Sequence, residues 1–192
     1  LVIKALSPLG ETYIKDLKTL FDSNCIDVYH NENKRGGAYS WGCYETLPYV
    51  LLNYEGKFTD VSTVAHELGH SMHSFYSCKY QDYHDSGYPI FLAEIASTVN
   101  EILLNKYCSQ NAKTKEEKAY YLNNLLENFR TTLIRQTMFA EFELKIHDLE
   151  QEGVSLTEEV LSETYLELNK LYFGEDVISD DLIKLEWARI PH

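Results

Sequence analysis

Paired cysteines, long apolar runs and an excess of basic residues are all missing from this chain of 192 residues. The cysteines form no C-x-x-C pair, and a domain of this size needs no disulfides, so reduced thiols in a cytoplasmic protein are expected. No apolar run approaches the roughly 18 residues of a membrane-spanning helix, and the start is too short for a signal peptide. The sequence therefore argues against membrane insertion and export. The cysteines are Cys25, Cys43, Cys78 and Cys108.

Basic residues are few, with 17 Lys and Arg against 30 Asp and Glu and a formal net charge of −13. Nucleic-acid binding requires clustered basic side chains that neutralise phosphates, and here they are scattered along the chain. Nucleic acid is therefore excluded as a partner. The acidity could favour basic peptides, but carboxylates that only solvate helix surfaces explain it as well.

The patterning predicts a mainly α fold with a small antiparallel β-sheet. At 44% hydrophobic residues, the chain can bury a core as one domain, 1–192. Short apolar runs punctuated by glycine and Pro48 predict strands within 26–55. Helical spacing then dominates, including a long helix at about 115–152 that is expected to kink. The chain lacks an initiating methionine and a polar tail after His192, which is typical of a fragment of a longer protein.

The most informative segment is His66-Glu67-Leu68-Gly69-His70, within a helix predicted at about 60–77. Thr59–Asp60 supplies an N-cap signal for this helix. Residues i and i+4 share a helix face, so both histidines can bind one ion, while Glu67 can reach a water at that ion. The pattern is typical of zinc peptidases. Gly69 costs about 1 kcal/mol in a helix interior, which indicates that another group approaches the backbone closely there.

A third ligand is needed, because catalytic zinc usually has three protein ligands and one open position. The pattern with a third histidine six residues after His70 fails, since Tyr76 stands there. A helix predicted at about 89–107 offers Glu94 and Glu101, about 10.5 Å apart along the axis, so only one can bind. Apolar neighbours favour Glu94, because an unpaired carboxylate among them would be costly. Glu101 then either orients a histidine or forms an exposed salt bridge.

His73 falls on the ligand face but lies about 7.5 Å along the helix axis from the midpoint of the two histidine ligands. It is expected to support a ligand histidine or to pack. The remaining internal histidines have no partner at a metal-binding spacing and are expected at the surface or in the core. They are His30, His84 and His147.

Three segments together resemble the oligoendopeptidase F family, bacterial relatives of thimet oligopeptidase and neurolysin. They are His66–Ser74, Gly37–Gly42 and Phe91–Thr98. The similarity extends from Ser7 to His192 and so covers essentially the whole chain. It implies a cytoplasmic zinc endopeptidase, with one Zn²⁺ per chain, that cleaves short unstructured peptides in a channel between two helical lobes. It also implies that Glu94 is the third ligand.

The resemblance further implies that 1–192 is the central part of a catalytic lobe, because members of that family are considerably longer. The remaining lobe of the full-length enzyme is then a partner. In the family, a Tyr-rich segment after the position of His192 contributes tyrosines that hold the substrate carbonyl. Because that segment is not in this chain, the activity of the chain alone is left open.

The implied mechanism gives Glu67 the role of base toward the attacking water and then of acid toward the leaving amine. His192 is the family-implied donor to the charged carbonyl oxygen, or only a chain end. The strand formed by Ala38, Tyr39, Ser40 and Trp41 either binds the substrate backbone by strand addition or is an ordinary sheet edge.

The competing hypothesis is a non-catalytic helical interaction domain, in which His66 and His70 pack or pair with carboxylates. A zinc-binding fragment that is inactive for lack of the tyrosine segment is a further alternative. Metal content separates the first of these hypotheses from a zinc peptidase, because only a metal site retains stoichiometric zinc.

Overall fold

The computed structural model describes residues 1–189, which form two compact units. The first unit is Leu1–Asn123 and the second begins at Asn124. The predictions for His192 lie outside the described residues, and the assignment of 1–192 to one catalytic lobe stays a prediction. Within 1–189, no helix combines the length and apolar character that crossing a bilayer requires.

The helices of the first unit build one apolar core. Short α1 and a 3-10 turn at Ser7–Leu9 precede α2, and the long helices α3 and α4 follow the sheet. The bounds are α1 Val2–Ala5, α2 Glu11–Asp22, α3 Phe58–Tyr80, α4 Ile90–Gln110 and α5 Lys115–Asn128, which begins in this unit. The buried side chains at the centre are Leu6, Leu17, Leu20, Ala65, Leu68, Met72 and Leu104.

The described part of the chain has one sheet of three strands, and it is mixed. The strands are β1 Ile26–Tyr29, β2 Tyr39–Trp41 and β3 Tyr49–Tyr54. The mainly α fold with a small sheet before α3 is confirmed. The sheet is antiparallel as predicted between β2 and β3, whereas β1 and β3 are parallel. The reason is that β3 lies between the other two strands, which run in opposite directions, and β2 is left as an edge strand.

The start of α3 differs from the expected N-cap at Thr59–Asp60. The helix begins at Phe58, which puts Asp60 in its first turn. The Asp60 carboxylate accepts hydrogen bonds of 2.9 Å from the backbone N–H groups of Lys57 and Glu55. These bonds lower the pKa of Asp60, because they favour the charged carboxylate. Asp60 is therefore the N3 residue of a capping box and bonds the backbone of the N-cap Lys57, instead of being the N-cap itself.

The predicted close approach at Gly69 is confirmed, and it sets the spacing between α3 and α4. A Cβ at this position would lie 2.6 Å from Ser97 Cα and 2.7 Å from the Ala96 carbonyl oxygen. Side-chain carbons do not tolerate such distances, so only glycine lets the two backbones come this close. The candidate ligands on α3 and α4 are brought into reach of each other by this contact.

The second unit has its own core between α6, α7 and a C-terminal 3-10 helix. A π-helix at Phe129–Ile134 lies between α5 and α6 Arg135–Gln151, at the long helix for which a kink was predicted. The helix α7, Glu158–Phe173, begins after Thr157, whose hydroxyl accepts a bond from the Val160 N–H. The 3-10 helix spans Ile183–Arg189. The core side chains are Met138, Phe142, Tyr165 and Leu168.

Candidate metal centre

Three side chains from α3 and α4 bring metal-binding atoms together. The Nε2 atoms of His66 and His70 are 3.0 Å apart, one helical turn from each other on α3. The Glu94 carboxylate on α4 lies 3.6 Å from His66 Nε2 and 3.7 Å from His70 Nε2. The Ser97 hydroxyl, fully buried, donates a 3.0 Å bond to the Glu94 carboxylate and so helps to orient it.

The donor set fits a zinc ion. Two imidazole nitrogens and one carboxylate oxygen are ligands that Zn²⁺ accepts, and three of them leave one coordination position open. Ligands about 2.0–2.2 Å from a tetrahedral ion lie roughly 3.3–3.6 Å from each other, which is close to the separations of the donor atoms. Among the described residues, these three form the one group of at least three His, Cys, Asp and Glu side chains with metal-binding distances.

The rings of both histidines are held from their opposite sides. His66 Nδ1 forms a short hydrogen bond with the carboxylate of Glu101, one of the two glutamates left open by the spacing. The His70 ring is bonded to the backbone of Ala93, and this bond favours the protonated ring, so the acceptor is the Ala93 carbonyl. Both rings present Nε2 to the site, and the Nδ1 atom of His66 is engaged by Glu101.

The pKa values of the two histidines are shifted in opposite directions. Burial alone would lower the pKa of His66, but the hydrogen bond and the charge of Glu101 outweigh it and raise that pKa. Burial lowers the pKa of His70, and the positive charge of a protonated His66 lowers it further. A neutral carbonyl partner therefore leaves His70 closer to the neutral form in which histidine binds metals.

Glu67, between the two histidines in sequence, is buried beside the sheet. Burial raises the pKa of Glu67, although the charge of His66 and a hydrogen bond from the Ser40 backbone act against that shift. Ser40 lies on β2 and Ser71 on α3, and their hydroxyl oxygens are 2.8 Å apart. The edge strand is thus bonded to α3 at the carboxylate predicted to act as the base.

A groove of about 790 Å³ opens in front of these residues. Ala38, Tyr39, Ser40 and Trp41, the predicted substrate-binding strand, line one side. His66, Glu67, His70 and Glu94 line it as well, so the strand edge and the candidate metal site face the same space. Tyr39 and Trp41 are exposed, with 50% and 73% of their surface accessible.

His73 is positioned by packing. Its ring stacks on Tyr88 with the centroids 3.8 Å apart, and Ser74 bonds the Tyr88 hydroxyl at 2.5 Å. Within residues 1–189, Nδ1 of His73 is buried without a hydrogen-bond partner. Of the two roles predicted for His73, these contacts favour packing over the support of a ligand histidine.

Four further residues at the site were missed by the sequence reasoning: Ser40 as a partner of Glu67, and Ser71, Ala93 and Ser97. Ser97 stands three residues after Glu94, a spacing from which a helix contact could have been inferred. Ala93 acts through its backbone, so its residue type carries no signal. The contact between Ser40 and Ser71 joins residues 31 positions apart and depends on the placement of β2.

Comparisons with known proteins agree with this fold. The model of Peptidase family M3 matches residues 3–192. Oligopeptidase PepF of Bacillus subtilis (strain 168) is 49% identical over 191 residues, which are 100% of this chain and 28% of the relative. The chromosomal oligoendopeptidase F of Lactococcus lactis subsp. cremoris is 45% identical over 98% of this chain and 31% of its own length. The predicted resemblance to oligoendopeptidase F is thereby confirmed.

Solved structures are similar over the whole chain. A crystal structure from Chlamydophila abortus has a TM-score of 0.87 at 52% identity and is matched over 32% of its length. Oligoendopeptidase-F from Enterococcus faecium has a TM-score of 0.64 at 34% identity and is matched over 27% of its length. The chain spans about a third of the length of these relatives. With a match over nearly all of its residues, the chain belongs to Peptidase family M3.

Proposed function

We propose that the chain carries the zinc-binding and water-activating part of an endopeptidase that hydrolyses short peptides. The observation that carries the proposal is the convergence of His66, His70 and Glu94 beside a buried Glu67. Membership of family M3 and relatives named oligopeptidase and oligoendopeptidase support peptide substrates. The proposal extends to the longer protein, whose remaining residues are expected to complete the substrate channel.

The proposed roles follow from the chemistry of the side chains. His66, His70 and Glu94 would hold one Zn²⁺, with Glu101 fixing the ring of His66. When bound, zinc supplies Lewis-acid polarisation of the peptide carbonyl and lowers the pKa of water toward about 7. Glu67 takes the proton from the attacking water and delivers it to the leaving amine nitrogen, so that peptide-bond cleavage yields a free carboxylate and an amine.

The groove determines how a peptide could reach these groups. Since β2 is an edge strand that lines the groove, a peptide can pair with its open edge through main-chain hydrogen bonds. Such pairing is independent of side chains and favours extended, unfolded substrates. His192 as a donor to the carbonyl oxygen rests on the family resemblance alone.

The test measures zinc content and hydrolysis of a peptide mixture in two variants. Glu67→Gln is expected to retain one zinc per chain and to lose hydrolysis at least about 100-fold, because it removes the proton acceptor only. His70→Ala is expected to lose both zinc and activity, because it removes a ligand.

Exposed residues of the second unit supply matched controls, Glu167→Gln and His147→Ala, which should change neither quantity. Wild-type protein without stoichiometric zinc would refute the metal site and support a non-catalytic helical domain. Zinc retention without hydrolysis by the wild type would limit this chain to metal binding.

A further inference from the structure

Ser40 is connected to Glu67 in two ways, one through its backbone N–H and one through its hydroxyl and Ser71. Burial raises the pKa of Glu67, and the Ser40 backbone N–H acts against this shift as a hydrogen-bond donor; both residues line the same groove. On the other side, the Ser71 hydroxyl donates a 2.9 Å bond to the Glu67 carbonyl oxygen. Because this uses the single hydroxyl proton of Ser71, the 2.8 Å contact between the serine hydroxyls must be donated by Ser40. Ser40 thus contacts the Glu67 side chain directly, and it is linked to the Glu67 main chain through Ser71.

The strand register explains why the Ser40 N–H is available. Ser40 lies opposite Val50 in the antiparallel pair of β2 and β3. The Val50 N–H points away from β2, since it donates a 2.8 Å bond to the Cys25 carbonyl on the β1 side. Ser40 and Val50 therefore form a non-hydrogen-bonded pair, and the N–H of Ser40 points to the open edge of β2.

Burial makes this contact well defined. Ser71 is fully buried and Glu67 is 7% exposed, so water competes little for their hydrogen bonds. A buried carboxylate needs donors to offset its desolvation, and the Ser40 N–H is one. No candidate metal ligand takes part in these bonds, so they can be altered while the ligands stay in place.

We propose that Ser40 is a positioning residue that fixes the Glu67 carboxylate relative to the peptide-binding edge of β2. The inference rests on the proposed function, in which Glu67 is the base. It refines the strand-addition hypothesis as well, because the Ser40 N–H is already bonded. A peptide added to this edge pairs instead with the Ser40 carbonyl and with the backbone groups two positions away, at Ala38 and Gly42.

The first measurement is steady-state peptide hydrolysis with zinc content. Ser40→Ala and Ser71→Ala both break the hydroxyl link, and each is expected to lower kcat between about 10-fold and 100-fold. KM should stay within about twofold and zinc should stay stoichiometric, since neither the strand edge nor a ligand is changed. The double variant should be no slower than the slower single variant, because both substitutions remove one link. Ser40→Thr keeps a hydroxyl and is expected to retain activity.

Thr63→Ala is the matched control on α3. The Thr63 hydroxyl donates to the carbonyl of Thr59 four residues earlier, as Ser71 does to Glu67, but on the exposed part of the helix. It is expected to leave kcat unchanged. Serine variants with wild-type kcat, or with loss of zinc equal to the loss of activity, would overturn the positioning role.

The second measurement needs no activity and follows amide hydrogen exchange at β2. The Ser40 amide should exchange slowly in wild-type protein, although it faces the open edge, and at least about tenfold faster in Glu67→Ala. Ala38 is the reference for an open-edge amide. A Ser40 amide that exchanges as fast as Ala38 would overturn the contact itself. Slow exchange at Ser40 in a wild type that cleaves no peptide would instead uphold the contact but contradict the role of Glu67 as a base in this chain.

Discussion

The two candidate ligand histidines illustrate how a backbone group and a carboxylate can orient the same kind of ring with different electrostatic results. Glu101 raises the pKa of His66, whereas burial keeps the pKa of His70 low beside a neutral carbonyl. A carboxylate partner also makes an imidazole a stronger electron donor to a metal. The pair is therefore expected to be unequal in its binding to the ion, with His66 the stronger donor.

A partly buried carboxylate of the second unit, Glu186, yields a prediction about pH. It accepts hydrogen bonds from Arg135 and, at 2.5 Å, from the Tyr165 hydroxyl. Burial alone would raise the pKa of Glu186, but these bonds and the charge of Arg135 outweigh it and hold the pKa below the ordinary 4.5. The charged form thus stabilises the folded state above pH 4.5, and the stabilisation is lost as the pH falls through the lower folded-state pKa.

Glu186→Gln should accordingly destabilise the chain by about 3 kcal/mol at pH 7, because Arg135 is left without its charged partner. Below pH 4 the difference in stability between the variant and the wild type should shrink. Urea unfolding of both proteins from pH 3 to pH 7 measures this change. Exposed Glu167→Gln is the control and should shift stability by less than about 0.5 kcal/mol. A destabilisation independent of pH would rule out the charge as its cause.

Sequence spacing predicts which residues act together within one helix. It does not predict contacts between residues that are far apart in the sequence. His66 and His70 follow from the i, i+4 rule, and Glu94 from its apolar neighbours together with the family resemblance. Arg135 and Glu186 stand 51 positions apart, and neither has a local pattern that predicts the other. The same holds for Ser40 and Glu67, whose contact depends on a strand edge facing a helix.

At the level of elements, the separation of α3 and α4 controls the candidate site, and Gly69 controls that separation. In an isolated helix, Gly69→Ala would gain about 1 kcal/mol. Here the new Cβ would meet backbone atoms of Ala96 and Ser97 at less than 3 Å, so α4 has to move. We expect a net destabilisation of about 1–3 kcal/mol. We also expect at least tenfold weaker zinc binding, since Glu94 moves with α4.

Thermal unfolding and competition with a zinc chelator measure the two effects. Gly36→Ala is the matched control, because a Cβ there meets nothing within 4 Å and its backbone is outside the left-handed region. A Gly69→Ala protein as stable as wild type, with unchanged zinc affinity, would contradict the role of this contact.

The helices were predicted more accurately than the pairing of the strands, and the reason is physical. Helical periodicity is a local signal, so α3 and α4 were expected within three residues of their observed ends. Strand pairing is not local. The parallel pairing of β1 with β3 requires the chain between them to place β2 on the far side of β3, and short strands contain no residue pattern that reveals this order.

At the level of the whole molecule, each unit has a separate core, and the candidate ligands belong to the first unit alone. The second unit contains Trp187, whose indole N–H donates a 3.1 Å bond to Ser162 within that unit. The chain has only two tryptophans, and Trp41 is the other. Trp41→Phe therefore leaves one fluorescent reporter, which follows the second unit.

Zinc is expected to stabilise the first unit and to leave the Trp187 transition in place. A ligand at 100 times its Kd adds about 2.7 kcal/mol to the stability of the state that binds it, which corresponds to a shift of roughly 1–2 M in urea. In Trp41→Phe, circular dichroism should show part of the helix signal shifting to higher urea when zinc is added, while Trp187 fluorescence keeps its midpoint. Adding His70→Ala should abolish the shift. Equal shifts in both signals would mean that the two units unfold as one, because zinc can stabilise the second unit only through cooperative unfolding with the first.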